Sequence, residues 1–597
     1  MDSFTKVPSE SLPLPMDLLS PHVIGIPQLA FHDAVLLDVA CALAVHAIYR
    51  RYEPDTSLPF VQIILLIATP SLPAAVFLRH FETSRGLAVL TAFALFYVTL
   101  IASIVFYRLS PWHPLAKYPG PLLAKISKAW ASYHTAKGKL HLDLKKLHEK
   151  YGRYVRIGPN ELSVADASVI SSALSDGMPK GPMWKARTSP STAPTLIAIR
   201  SSQEHARRRK RWNRAFNSSA VKGYEQVVQK RALQLVSELE KRSVKNGNHS
   251  VNLAEWISFF ATDFMGDMAF GGGFELMRDG GDKEGVWTVL ESGMRTAAIV
   301  HHVPWIMPLL RKLPFVSRDL LRFRRFGIGR AEARKVNGSL TRDLFYHLID
   351  EDNVEKVAPT DSEIVSDGSL AIIAGSDTTS TTLSGLIYYL MSHPLDYRRL
   401  QNEIDCAFPP GEGDPFDTLK LSEMPFLNAV INEAMRLQPP VPTYLQRSPE
   451  AGTGGKWIGD SYISEGTAVI VPPYILFRDP AYFSPAPNNF WPDRWLPHDA
   501  VKRYPYQSDF EAGALSNNYD GEIVTNSLAF IPFSYGPANC AGRALALTEM
   551  RMVVALLMQK FELQFAPGYD PNDWEEHLED FFVLCNGPLL VTLTPRM

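Results

Sequence analysis

Four groups of residues in this sequence carry chemistry by their type and spacing. Cys540 lies in the turn Phe533-Ser-Tyr-Gly-Pro-Ala-Asn-Cys-Ala-Gly542, just before an apolar helical run that starts at Arg543. A thiolate is stabilised where backbone N–H groups and a helix N-terminus face it, and it is then a strong axial ligand for iron. An inert buried thiol is the competing reading of a lone cysteine. Ala371 to Thr382 sets Gly375, a run of Ser and Thr, and Asp377 inside an apolar helical pattern. Glycine costs about 1 kcal/mol in a helix interior, and the hydroxyls bond back to carbonyls one turn earlier. A plain core helix gains nothing from either, whereas a helix beside a reactive centre gains room and a proton path. The alternative is a solvated Ser/Thr face. Glu433 and Arg436, three apart, share a helix face, as do His205 and Arg209 in the basic run Glu204 to Arg214. The first pair alone reads as a weak surface ion pair. The second alone reads as a nucleic-acid patch, which the near-neutral chain argues against.

The spacing F-x-x-G-x-x-x-C-x-G around Cys540 resembles the haem-binding loop of the cytochrome P450 family, and the resemblance continues from Tyr118 to the C-terminus. It implies haem b, with Cys540 as proximal ligand, Phe533 shielding the sulfur, and Gly536 and Gly542 letting the loop turn towards the porphyrin. Ala538 stands where the family often has Arg or His on a propionate. Ala374 to Thr379 resembles the distal-helix motif, which makes Thr378 the alcohol and Asp377 the acid that relay protons to dioxygen. Ile431 to Arg436 and Phe490 to Arg494 resemble the motifs in which Glu433, Arg436 and Arg494 lock the core behind the haem. With Ala538 unable to help, the resemblance leaves His205, Arg209 and Arg447 to hold the propionates. Arg207, Arg208, Lys210 and Arg211 are expected to face outward and dock an acidic flavoprotein. Apolar positions in the 188–200 loop, Leu370, Ile373, Val441 to Tyr444, Phe582 and Val583 imply a lipophilic substrate.

The implied activity is insertion of one oxygen atom from dioxygen into a lipophilic small molecule, by hydroxylation or epoxidation. Electrons come from NADPH through NADPH–cytochrome P450 reductase, because no flavin or nicotinamide domain accompanies the motifs. Loop style resembles fungal members, for which secondary metabolites such as terpenoids are common substrates. A haem-thiolate isomerase, dehydratase or peroxygenase is the alternative, and the intact Asp377–Thr378 pair argues against it. A non-enzymatic membrane interaction protein is more remote still.

The elements that must position these residues are mostly helical. Apolar periodicity marks helices around 203–217, 222–245, 254–270, 284–300, 361–392, 421–437 and 541–561. Val155 to Val164 reads as a strand pair turning at Gly158-Pro159, and Thr467 to Val471 and Leu589 to Leu593 read as short strands. The fold class expected is mainly α with small β-sheets, the cytochrome P450 fold, preceded by N-terminal transmembrane helices. The polar stretch Gln507 to Ser527 reads as a surface insertion.

A chain of 597 residues with 60 basic and 62 acidic side chains has a net charge of −2, which argues against nucleic acid as a partner. Its four cysteines lie far apart and form no disulfide or zinc pattern. Gly86 to Tyr107 is 22 residues without a charge, long enough to cross a bilayer. Leu58 to Leu78 is uncharged but holds Pro70 and Pro73, and Ala34 to Tyr49 is shorter and carries Asp38. The expected layout is a lumenal tail (1–33), a membrane region with one to three spans (34–107), a proline-rich hinge (108–121) and a catalytic domain (122–597). Arg50 and Arg51 after the first segment put the tail in the lumen of the endoplasmic reticulum and, with three spans, the catalytic domain in the cytosol. The Asn-x-Ser sites at Asn217, Asn248 and Asn337 are then expected to stay unmodified.

Overall fold

The computed structural model describes residues 29–596 apart from 53–58, 82–83, 176, 189–191, 245–246, 248–249, 273, 284, 311, 339–341 and 498–522. Residues 1–28 of the tail, Asn248 and most of the polar stretch 507–527 therefore lie outside the described residues. The chain divides into two compact units, Met1–His113 and Pro114–Met597.

The first unit holds three helices long and apolar enough to cross a membrane, Phe31–Arg51, Phe60–His80 and Arg85–Leu109. Asp38 does not prevent the first of them, since the carboxylate is buried between helices. The middle helix absorbs Pro70 and Pro73 by loosening into a π-turn at Ile64–Ala68. There Tyr97 Oη donates to the Leu66 carbonyl at 2.6 Å, the acceptor one turn before Pro70 that the proline ring leaves without its N–H donor. Ser84 caps the third helix by accepting from Leu87 N at 3.3 Å.

In the second unit the core is helix on helix. The long helix Asp361–Ser392 packs along Leu253–Phe270, and the close approach rests on glycine. A Cβ on Gly375 would stand 2.5 Å from Met265 Sδ. A full capping box, Thr360 with Glu363, starts the long helix. It stays α-helical through its hydroxyl run because Thr378 Oγ1 donates to the Ala374 carbonyl (2.7 Å) and Thr382 Oγ1 to the Thr378 carbonyl (2.9 Å). The local widening such a run allows is absent: the back-bonds add to the ladder instead of replacing it.

A four-stranded sheet lies to one side in the order Tyr154–Gly158, Glu161–Val164, Ala468–Val471, Leu445–Arg447. Its first pair is antiparallel with Tyr154 opposite Val164, and the next is parallel with Glu161 opposite Ala468. The start of the chain's second unit is docked on this sheet, where Arg156 N donates to the Pro119 carbonyl at 2.7 Å. A three-stranded sheet, Phe561–Phe565, Leu590–Pro595 and Val251–Asn252, closes the other end.

Helices absent from the periodicity reading include Leu140–Tyr151, Pro314–Asn337 and Pro394–Ala407. The first and last each bury a stripe at three- and four-residue spacing, Leu140, Leu144 and His148, and Tyr397, Leu400 and Ile404, set among many charges. The expected helix 421–437 is two, Thr418–Glu423 and Pro425–Leu437, because Pro425 opens a new first turn.

Candidate active site

One cavity collects most of the chemistry. Cys540, Phe533, Ala538 and Gly542 line it from the thiol loop, Thr378 with Leu370 and Ile373 from the long helix, and His205, Arg209 and Arg447 from its edge. Its empty volume, open mouth included, is about 1750 Å³.

The thiol loop is held by short-range geometry. Cys540 N donates to the Phe533 carbonyl at 2.9 Å, closing the turn. Gly536 has φ +74°, and a Cβ there would stand 2.2 Å from the Leu174 carbonyl. The loop's glycine thus answers a neighbouring backbone, a reason the sequence did not reveal. Cys540 is exposed and lines the cavity. Burial raises its pKa, opposed by a backbone hydrogen bond from Gly542 and then by the charges of Arg209 and Arg543. Arg209 also latches the loop, donating to the Asn539 carbonyl at 2.6 Å and to Asn539 Oδ1 at 2.8 Å.

Asp377 and Thr378 lie on neighbouring faces of the long helix and open onto different spaces. Thr378 faces the thiol's cavity, whereas Asp377 lines a second, polar one with Glu255, Glu291, Ser380 and Asn586. Burial, and after it the charge of Glu291, raises the Asp377 pKa to about 7.

The lock behind the cavity is fully buried. Arg436 grips Glu433 with two hydrogen bonds, Nε to Oε2 at 2.8 Å and Nη2 to Oε1 at 2.7 Å. Arg494 Nε (3.1 Å) and Trp491 N (2.8 Å) add donors to Oε1, and Trp495 Nε1 donates to Oε2 at 2.9 Å. Burial pushes the Glu433 pKa up, but the two guanidinium groups and these donors outweigh it and leave the carboxyl below its ordinary value.

A family model, cytochrome P450, matches residues 119–593 of this chain. The chain belongs to the cytochrome P450 family. Similar proteins include cytochrome P450 67 of Uromyces fabae, 34% identical over 94% of this chain and 99% of its own length. Cytochrome P450 monooxygenase FCK2 of Fusarium pseudograminearum is 33% identical, covering 83% of this chain and 85% of its own. Tryprostatin B 6-hydroxylase of Aspergillus fumigatus is 31% identical over 84% of each chain. The P450 is a haem-thiolate monooxygenase, with haem b as prosthetic group and electrons delivered from NAD(P)H by a reductase.

The cavity's edge fits that dianionic group. Lys180, His205 and Arg447 are only 7%, 8% and 4% exposed, and among the described residues none has a carboxylate partner. Burial drives the Lys180 pKa well down, with the charges of Arg447 and Arg209 adding to it. The same causes, burial first, bring His205 to about 3, and burial brings Arg447 to about 10. Buried cations that disfavour one another this strongly are a socket for negative charge, which two haem propionates supply. Lys180 is absent from the sequence reading. It pairs in an isolated bridge with Arg447, 267 positions later, and no local pattern announces that meeting.

The basic helix, Ser202–Ala215, corrects an expectation. Arg208 and Arg211 do not face outward but are buried against the long helix: Arg208 meets Asp367 at 2.5 Å, and Arg211 meets Glu363 at 3.5 Å and Asp367 at 3.6 Å. Arg207 is tied to Glu204 at 2.7 Å and to Glu363. Of the four, only Lys210 is left exposed. Two acids on the first turns of the long helix consume the charge that the sequence suggests for a partner.

Proposed function

We propose that this P450 uses Cys540 as the axial thiolate and inserts one oxygen atom from dioxygen into a lipophilic secondary metabolite. The observation that carries the assignment is one cavity in which the Cys540 thiol, a threonine on the long helix and a cluster of basic side chains, Lys180, His205 and Arg447, with no carboxylate partner among the described residues meet. Bound haem supplies the activation of dioxygen. Lys180, His205, Arg209 and Arg447 would hold its propionates, and the apolar turn at Phe533 would keep water from the sulfur. Gly542 leaves the face beside Cys540 clear of side chain, where a Cβ would stand 3.5 Å from the Phe216 ring.

Protons would cross the long helix. Asp377 takes one from the polar cavity, holds it with a pKa near neutrality, and passes it to the Thr378 hydroxyl on the oxygen side. Glu433, Arg436 and Arg494 would keep the segment after Pro440 in place behind the cavity. Three apolar helices support membrane anchoring. We place them in the endoplasmic reticulum with residues 122–597 in the cytosol, after a hinge at 108–121, where NADPH–cytochrome P450 reductase is accessible. The fungal relatives named as monooxygenases and as a tryprostatin B hydroxylase support a secondary-metabolite substrate.

The test is a carbon monoxide difference spectrum of microsomes carrying the full chain. A thiolate-type Soret band is expected in the wild type and its loss in Cys540→Ala. Survival of the band in that variant overturns the assignment. NADPH-dependent incorporation of labelled dioxygen then separates a monooxygenase from a peroxygenase or isomerase.

A further inference from the structure

The wall of the cavity on the Thr378 side is largely apolar, with Leu370, Ile373, Val441, Phe582 and Val583 contributing. One charged side chain interrupts it. Arg187 ends the 3₁₀ turn Pro182–Arg187 and lines the cavity. Its guanidinium carbon lies 4.2 Å from the Phe582 ring centroid and 5.7 Å from that of Trp184. Among the described residues, the one hydrogen-bond acceptor it meets is the Met294 sulfur, 4.0 Å from Nη1 and weak. Nε and Nη2 are covered and have no hydrogen-bond partner, and the same holds for Trp184 Nε1 beside them.

Among the described residues no carboxylate pairs with Arg187. Tyr444, whose phenol interacts electrostatically with Arg187, shares a hydrogen bond with Thr135 at 3.3 Å. The propionate cluster adjoins this group: Lys180 Nζ lies 5.6 Å from the centroid of the same Trp184 ring, but it donates to the Leu196 carbonyl at 3.0 Å and bridges to Arg447. Cation–π contact with Phe582 and Trp184 offsets part of the desolvation of a guanidinium, but it leaves the N–H donors unmet. Among the described residues nothing meets them, and a ligand reaching in from the cavity side can do so once the covering contacts part.

We propose that Arg187 anchors a carboxylate on an otherwise apolar substrate, with Trp184 Nε1 as an auxiliary donor. A guanidinium fork takes a carboxylate with two parallel hydrogen bonds, fixing direction as well as position. The anchored end would then determine which carbon of the apolar body lies beneath Thr378. The proposal rests on the monooxygenase reading and narrows its substrate class from lipophilic to amphiphilic acid.

The experiment uses the full-length holoenzyme in lipid nanodiscs. Dodecanoic acid, a diterpenoid carboxylic acid and indole-3-butyric acid are each titrated beside their methyl esters, following the Soret shift and the heat of binding. At least one acid is expected to bind about tenfold more tightly than its ester, an increment of about 1.4 kcal/mol. Arg187→Gln should abolish that preference and Arg187→Lys should keep part of it. Esters that bind as tightly as their acids throughout, or a preference that survives in Arg187→Gln, overturn the proposal. So does loss of the carbon monoxide spectrum in both variants, which would assign Arg187 to haem retention. Failure of the monooxygenase reading has another signature, a missing thiolate spectrum in the wild type.

Discussion

Asp377 and Thr378 are adjacent in the chain yet face separate cavities, and this separation is what a proton relay across a helix requires. Because burial raises the Asp377 pKa from 3.8 to about 7, the carboxyl keeps its proton through that window and gives it up above it. Proton donation should fade as pH rises through about 7. Coupled turnover of the wild type is expected to decline above that pH, whereas Asp377→Asn should be slow and lack the inflection; a pH–rate profile with product and peroxide both quantified checks this. Lys180 makes a second prediction. Removing it takes away a charge-assisted hydrogen bond of about 1.5–3 kcal/mol, so haem should transfer from Lys180→Ala to apomyoglobin about tenfold faster or more. Glu433 gives a third. Replacing it by Ala leaves Arg436 and Arg494 buried and unpaired, a loss of about 3–5 kcal/mol, and the variant should accumulate without haem. A normal haem-to-protein ratio would refute the lock.

At the scale of elements, the long helix is the organiser. It meets Leu253–Phe270 along one side, carries Thr378 to the cavity, and presents Glu363 and Asp367 to the basic helix. Arg208 and Arg211 therefore belong to the frame of the site. Arg208→Ala leaves the Asp367 carboxylate short of its 2.5 Å partner inside the protein. Its thermal midpoint should fall by the equivalent of about 3–5 kcal/mol, while Lys210→Ala, on the exposed face, should change it by less than about 0.5 kcal/mol. Scanning calorimetry of the two variants separates the inward from the outward face of this helix.

For the whole molecule, the membrane unit carries the open question of address. Positive charge after the first helix predicts a lumenal tail, so a glycosylation site engineered before residue 29 should be modified in microsomes, and one placed in the second unit should not. Absence of modification in the tail sites would reverse the first span. The helix Phe31–Arg51 shows why composition underrates such segments. Asp38 lowers its hydropathy, but a carboxylate that faces neighbouring helices does not have to face lipid.

The sequence by itself determined the family, because the loop around Cys540, the run Ala371 to Thr382 and the pair Glu433 and Arg436 are each local patterns of residues within a few turns of one another; Arg494, 58 positions after Arg436, meets Glu433 only in the fold. The helix expected around 361–392 is Asp361–Ser392, with the Thr360–Glu363 capping box at its start. Only the tertiary structure decided which charges are free. Arg208 and Arg211 look like surface residues until Glu363 and Asp367, more than 150 positions away, are folded against them. Lys180 looks like any lysine until Arg447 and His205 join it at the cavity's edge. Arg187 looks ordinary until Trp184 and Phe582 close over it with no acid in reach. Whether a charge is solvated, paired or held for a ligand depends on what long-range packing brings beside it, and no spacing along the chain records that.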